Sequence, residues 1–282
     1  MTRRAMIVSL GLFLAAVACR PARAAFELGD ASPGSLGAVS LEGSRRWLLP
    51  ERSGDERPTG AVLAFTHATL FAAPALAANS VSVVAARGAV ATEFDLLTVG
   101  AGPLREQALR LSLSERRAGA VSLRAALERL DLFLPESPTR GGWALSVGAM
   151  GRWGRGPCVG TFEALAARAG RSQGLAALGV RPELELRASI ASGGLMVALA
   201  DRRGVRGEGS PRVTVEVPLG AVARLRAGRG SAPARMGFAL AVRRGNWLVS
   251  TGRLDDASAA TVSAVEIAFV RRSDEKRPAE DA

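Results

Sequence analysis

Tyrosine is absent from this chain, histidine occurs once, cysteine twice, and aromatics amount to 5% of the residues. A zinc centre needs several Cys or His ligands at set spacing, and His67, Cys19 and Cys158 cannot supply one. A catalytic histidine needs a nucleophile or carboxylate beside it. Sequence places none beside His67, which reads as a satisfied or exposed side chain on the first strand. No phosphate-cradling G-x-x-x-x-G-K-[ST] loop, no G-x-S-x-G elbow and no H-E-x-x-H occurs. Gly148 to Gly154 is glycine-rich but lies inside a strand pattern. Asp201 and the Asp255-Asp256 pair read as solvated turn acids rather than calcium ligands. The expectation is a non-enzymatic protein with no catalytic residue, cofactor or metal.

Beyond residue 24 no apolar stretch approaches the roughly 18 residues of a membrane-spanning helix. Lysine is nearly missing too, Lys276 being the only one among 37 basic residues. The formal charge of +11 falls to +7 once the four arginines of the first 24 residues, Arg3, Arg4, Arg20 and Arg23, are set aside. The remaining arginines are scattered rather than clustered, which argues against nucleic acid as a partner.

Residues 1–24 have the three parts of a secretory signal. Arg3 and Arg4 form a basic start, Ala5 to Ala18 an apolar run, and Ala22-Arg23-Ala24 an A-x-A cleavage site. Val17-Ala18-Cys19 resembles the end of a lipobox, but the complete A-x-A site favours cleavage near Ala24. Cys158 is then the only cysteine of the mature chain, so no internal disulfide forms. A small buried filler is its expected role. Residues 25–58 form an opening segment, 59–270 the strand-rich body and 271–282 a charged tail.

The body shows alternation of period two, the mark of strands with one apolar face. Arg212 to Val217, Arg235 to Arg243 and Ala264 to Phe269 alternate without a fault, as do Leu109 to Ser114 and Glu183 to Ile190. Candidate strands run from Gly60–Ala68 to Thr261–Val270, about 14 in all. Ala118-Gly119, Gly193-Gly194, Gly228-Arg229-Gly230 and Gly245-Asn246 read as turns. Residues 125–130 and 162–168 also carry helix formers at helical spacing, and a change of parity at Glu128-Arg129 suggests a β-bulge. Trp143 and Trp153 share one face of a single strand. They lie about 33 Å apart along it, or ~23 Å across a membrane at a tilt near 45°.

The expected fold is all-β: an antiparallel transmembrane β-barrel of about 14 strands with meander topology. Val213, Val215, Val217, Met236, Phe238, Leu240, Val242, Val265, Ile267, Phe269, Trp143 and Trp153 would face lipid. Arg212, Glu216, Arg224, Arg226, Arg235, Arg243 and Glu266 would face the lumen. An arginine is accordingly expected to be costly at Phe238 and milder at neighbouring Ala239. The same alternation also suits a soluble periplasmic β-sandwich or β-rich binding module, whose apolar faces pack on a second sheet.

The runs Pro211 to Gly220, Arg224 to Gly228 and Gly237 to Gly245 resemble the C-terminal strands of the PorV/PorQ family. Phe26 to Gly29 and Gly34 to Val39 resemble that family's small-residue opening. The resemblance implies a FadL-like barrel in the outer membrane of a Gram-negative bacterium, among outer-membrane lipid. It also implies passive transport of small apolar molecules or an accessory role beside secretion-system proteins, and it supplies no catalytic residue.

Overall fold

Long apolar side chains alternating with small or charged ones give strands with one face for each of two environments. Here each strand pairs with its chain neighbours, and the first with the last. The computed structural model describes residues 60–272, apart from 70–76, 101–104, 117–120, 135, 137, 156–157, 178–179, 205–208, 232–233 and 257–260. The expected signal, the opening segment and all of the tail but Arg271 and Arg272 lie outside the described residues.

The strands are β1 (Gly60–Thr69), β2 (Ala77–Arg87), β3 (Val90–Val99), β4 (Arg105–Arg116), β5 (Val121–Phe133), β6 (Arg140–Arg155) and β7 (Cys158–Arg171). After a short helix α1 (Gln173–Ala177) come β8 (Glu183–Ser192), β9 (Leu195–Gly204), β10 (Gly209–Leu219), β11 (Ala223–Ser231), β12 (Ala234–Arg244), β13 (Trp247–Asp256) and β14 (Thr261–Arg272). Each is antiparallel to the next, and β1 closes on β14 from Gly60 opposite Arg272 to Thr69 opposite Ser263. Closure leaves no unpaired edge. The architecture is therefore a closed 14-stranded antiparallel meander barrel, and the two-sheet sandwich is set aside.

The barrel has two unlike ends. At one, β2–β3, β8–β9 and β12–β13 are joined by tight turns at Gly88, Gly193-Gly194 and Gly245, all with φ near the left-handed region that glycine adopts freely. Gly60 and Arg272 lie at this short-turn end. The opposite, loop end carries the longer connections, including 70–76 and 172–182.

The wall formed by β13, β14, β1 and β2 is packed dry on its inner face. Val62, Ala64, Leu248, Ala268 and Val270 form one buried cluster toward the short-turn end. Ala68, Ala78, Val99, Ala239, Leu254, Val262 and Ala264 form a second toward the loop end. Between them a polar row crosses the closing seam, with Ser250 opposite Glu266, Glu266 opposite Thr66, and Thr66 opposite Ser80.

Several sequence expectations change. Residues 125–130 and 162–168 are strand, because a strand inside a closed sheet has both neighbours to satisfy and this overrides local helix propensity. The register of β5 with β6 is unbroken through Glu128 opposite Ala144 and Arg129 opposite Trp143. The irregularity falls instead between β6 and β7, where pairing slips between Leu145 and Val147. Gly228-Arg229-Gly230 is no turn but lies within β11, where a Cβ on Gly228 would press on the carbonyl of Val213 and the side chain of Thr214. Cys158 is exposed rather than buried. It opens β7 with the same parity as outward-facing Phe162, and the barrel's core lies on the other face. Asp201 and Asp255 belong to strands, not loops, and pair with Arg203 at 2.7 Å and Arg253 at 2.9 Å.

Candidate functional site

The inner wall from β3 to β11 is built differently from the dry wall at the seam. Strand parity turns a carboxylate or guanidinium inward at alternate positions, and neighbouring strands bring opposite charges together. Arg124 on β5 sits 2.8 Å from Glu93 and 3.8 Å from Glu163. Arg187 on β8 lies 3.8 Å from the same Glu163 and 2.9 Å from Glu185. Glu93, Arg124, Glu163, Arg187 and Glu185 thus form one continuous chain of alternating charge across β3, β5, β7 and β8. Arg202 pairs with Glu183 at 3.2 Å. Glu216 on β10 accepts hydrogen bonds from Arg224 at 2.7 Å and from Arg226 at 2.5 Å, both on β11.

The bulge in β7 adds one more member. Arg168 has φ of 53°, a conformation uncommon outside glycine. Its backbone N–H donates to Ser146 Oγ at 2.9 Å, and its Nε donates to Glu128 at 3.0 Å. The extra residues on β7 re-aim a guanidinium into the interior.

The loop end is narrowed by the connection that follows. Ser172 continues the ladder, accepting from the Trp143 N–H at 3.1 Å and donating its own N–H to the Trp143 carbonyl at 2.9 Å. Leu175 of α1 is then wholly buried against Leu130, Ala144 and Val180. Leu130 and Ala144 belong to the inward faces of β5 and β6, so the helix folds over the mouth rather than away from it. Gly142 makes this possible, since a Cβ there would collide with Ser172 Oγ and Leu175.

The residues singled out from sequence separate onto the two faces. Arg212, Glu216, Arg224, Arg226, Arg235, Arg243 and Glu266 fall on inward registers, with Glu266 at the dry seam and Glu216 in the ion-paired wall. Val217, Met236, Phe238, Leu240, Val242, Val265, Ile267, Trp143 and Trp153 are exposed on the outside, with Val213, Val215 and Phe269 half-buried among them. His67 also points outward, its Nδ1 lying 2.8 Å from Asn79 Oδ1.

The charge chain on β3, β5, β7 and β8 is not among the sequence expectations, although Glu93, Arg124, Glu163 and Arg187 carry the same period-two signal as the strands farther along. Neither are the outer aromatics that accompany the two tryptophans. Trp247 packs on Phe269 at the short-turn end, with ring centroids 4.9 Å apart. At the loop end the Arg105 guanidinium lies 4.4 Å from the Phe133 ring and that of Arg129 lies 5.5 Å from Trp143.

No protein-family model matches the chain. No curated protein matches it either. Among solved structures it is similar to the Ralstonia pickettii toluene transporter TbuX, with TM-score 0.49, 10% identity, and coverage of 78% of this chain and 90% of that one. It is similar to the Acinetobacter baumannii outer membrane protein Omp33, with TM-score 0.49, 6% identity, and coverage of 77% and 99%. It is also similar to the CymD monoaromatic hydrocarbon channel, with TM-score 0.48, 12% identity, and coverage of 88% and 99%.

Proposed function

We propose that this chain is a non-enzymatic outer-membrane barrel that lets small molecules cross passively. The observation that carries the proposal is the outer surface. Leu63, Phe65, Phe94, Leu111, Leu127, Val147, Phe162, Leu225, Leu240, Val249 and Ile267 are large, apolar and exposed, and they come from strands all around the closed sheet. A water-soluble barrel has no use for such a belt, whereas hydrocarbon requires one. Aromatics toward both ends, Trp153, Trp247 and Phe269 at one and Trp143 and Phe133 at the other, suit the two membrane–water interfaces. Export through a signal cleaved near Ala24 would deliver the chain to the periplasm for assembly.

The route for a solute follows the ion-paired wall. Water reaches Arg187 and Arg224 there, whereas Leu248, Val270 and Ala68 on the seam wall are wholly buried. The resemblance to PorV/PorQ would imply small apolar molecules or support of protein secretion, whereas the ion-paired wall suits polar solutes. The test is recovery of the folded chain in the detergent-extractable membrane fraction, with an unheated form that migrates faster on a gel. Purified protein should also make liposomes permeable to small solutes. Complete recovery as soluble periplasmic protein would refute the proposal.

Short turns at the end carrying Gly60 and Arg272 favour the periplasmic side for that end. Cys158 lies at that end and is exposed, so it reports orientation. A membrane-impermeant maleimide is expected to label Cys158 in permeabilised cells and to leave it unlabelled in intact ones. Labelling of intact cells would invert the barrel.

A further inference from the structure

Resting on the passage proposed above, we infer that the lumen is selective for anions and that its substrates are small organic carboxylates. Acids and bases paired along a wall would ordinarily suggest no preference. The selectivity comes from which member of each pair meets water. In the Arg224–Glu216 pair the arginine side chain is 30% exposed and the glutamate 3%. For Arg187 and Glu185 the values are 31% and 11%, and for Arg202 and Glu183 they are 21% and 8%. Arg124 is likewise more open than Glu93 or Glu163. Among these pairs Arg168 is the exception, more covered than its partner Glu128.

The cause is the geometry of the two side chains on a curved wall. A glutamate is short, and Glu216 is held down by two arginines on the neighbouring strand. An arginine is long, so its stem spans the carboxylate and its head reaches beyond it into the wet interior. The negative charge is spent against the wall, and the charge presented to a passing solute is positive. Low-dielectric walls concentrate such a field, raising anions and depleting cations along the route. The planar guanidinium fork matches a carboxylate better than a spherical ion.

The experiment is a zero-current potential measured on the purified full chain in a planar bilayer under a potassium chloride gradient, repeated with benzoate replacing chloride. Anions are expected to be preferred over potassium by about three- to tenfold, with benzoate carried as well. A triple variant R187Q/R202Q/R224Q should lose most of that preference, whereas R253Q, on the outer surface, should keep it. The wild-type measurement decides the matter even if the triple variant does not fold. A permeability ratio near one, or a cation preference, overturns the inference while leaving passage intact. Absence of any conductance would instead overturn the passage reading itself, and this one with it.

Discussion

Ile267→Arg is expected to lower folding stability by about 2–4 kcal/mol in refolding titrations into lipid vesicles. Ile267 projects outward from β14 between Phe65 of β1 and Val249 of β13, so every neighbour at its level is apolar. A guanidinium placed there has no partner and must either thin the bilayer around it or reach far for water. Phe238, first singled out from sequence, is a gentler site. It stands opposite Arg253 of β13, toward the loop end, where a charge is already accommodated beside Asp255. Phe238→Arg should therefore cost less than Ile267→Arg. The inward control must also be chosen from the structure. Ala239 points inward but is buried in the dry cluster with Ala68, Ala78 and Ala264, so an arginine there would be both oversized and unsolvated. Ala200 is the proper control, since it pairs with Arg187 on one side and Arg212 on the other. Ala200→Glu should change stability by less than about 1 kcal/mol. Equal penalties for Ile267→Arg and Ala200→Glu would contradict the lipid-facing surface.

The contrast between Ala200 and Ala239 marks what a sequence of this kind discloses. Strand existence and sidedness follow from period two, because a residue's parity decides its face whatever it packs against. The pattern in Arg212 to Val217 or Ala264 to Phe269 therefore carries straight into β10 and β14. What lies opposite a face across the barrel is a different kind of information. Ala200 and Ala239 have the same residue type and the same inward parity, yet one sits in the ion-paired wall and the other in a dry cluster. That difference arises from partners such as Ala68, 171 positions away from Ala239 in the chain. Glu93 and Arg124 were each visible as polar residues on alternating strands, but the pair depends on β4 lying between β3 and β5. The bulge at Arg168 was hidden for a further reason. It is set by the slip of β7 against Leu145 and Val147, and nothing in the residues 162–168 taken alone distinguishes a bulged strand from a helix.

Glu216→Ala should be the most damaging single change inside the barrel, lowering stability by about 3–5 kcal/mol. The carboxylate is almost wholly buried, and both Arg224 and Arg226 donate to it. Deleting it removes an acceptor they share and brings two guanidiniums on the same strand into repulsion. The outer pair Arg253–Asp255 has similar geometry, with the nitrogen and oxygen 2.9 Å apart, yet both partners are more than half exposed. Arg253→Ala should accordingly cost no more than about 1 kcal/mol. Burial, not distance, separates the two. A double variant, Glu216→Ala with Arg226→Met, should recover part of the loss, because one of the two like charges is then gone. If Glu216→Ala proves as mild as Arg253→Ala, the carboxylate is not serving as the counter-charge that holds β10 and β11 arginines in place. Glu216→Gln separates the structural effect from the electrostatic one. It keeps an acceptor for one arginine, so it should fold where the alanine variant falters, and by removing a negative charge it should strengthen the preference for anions. A weaker anion preference in Glu216→Gln would mean that the buried carboxylate, rather than the arginines above it, governs what passes.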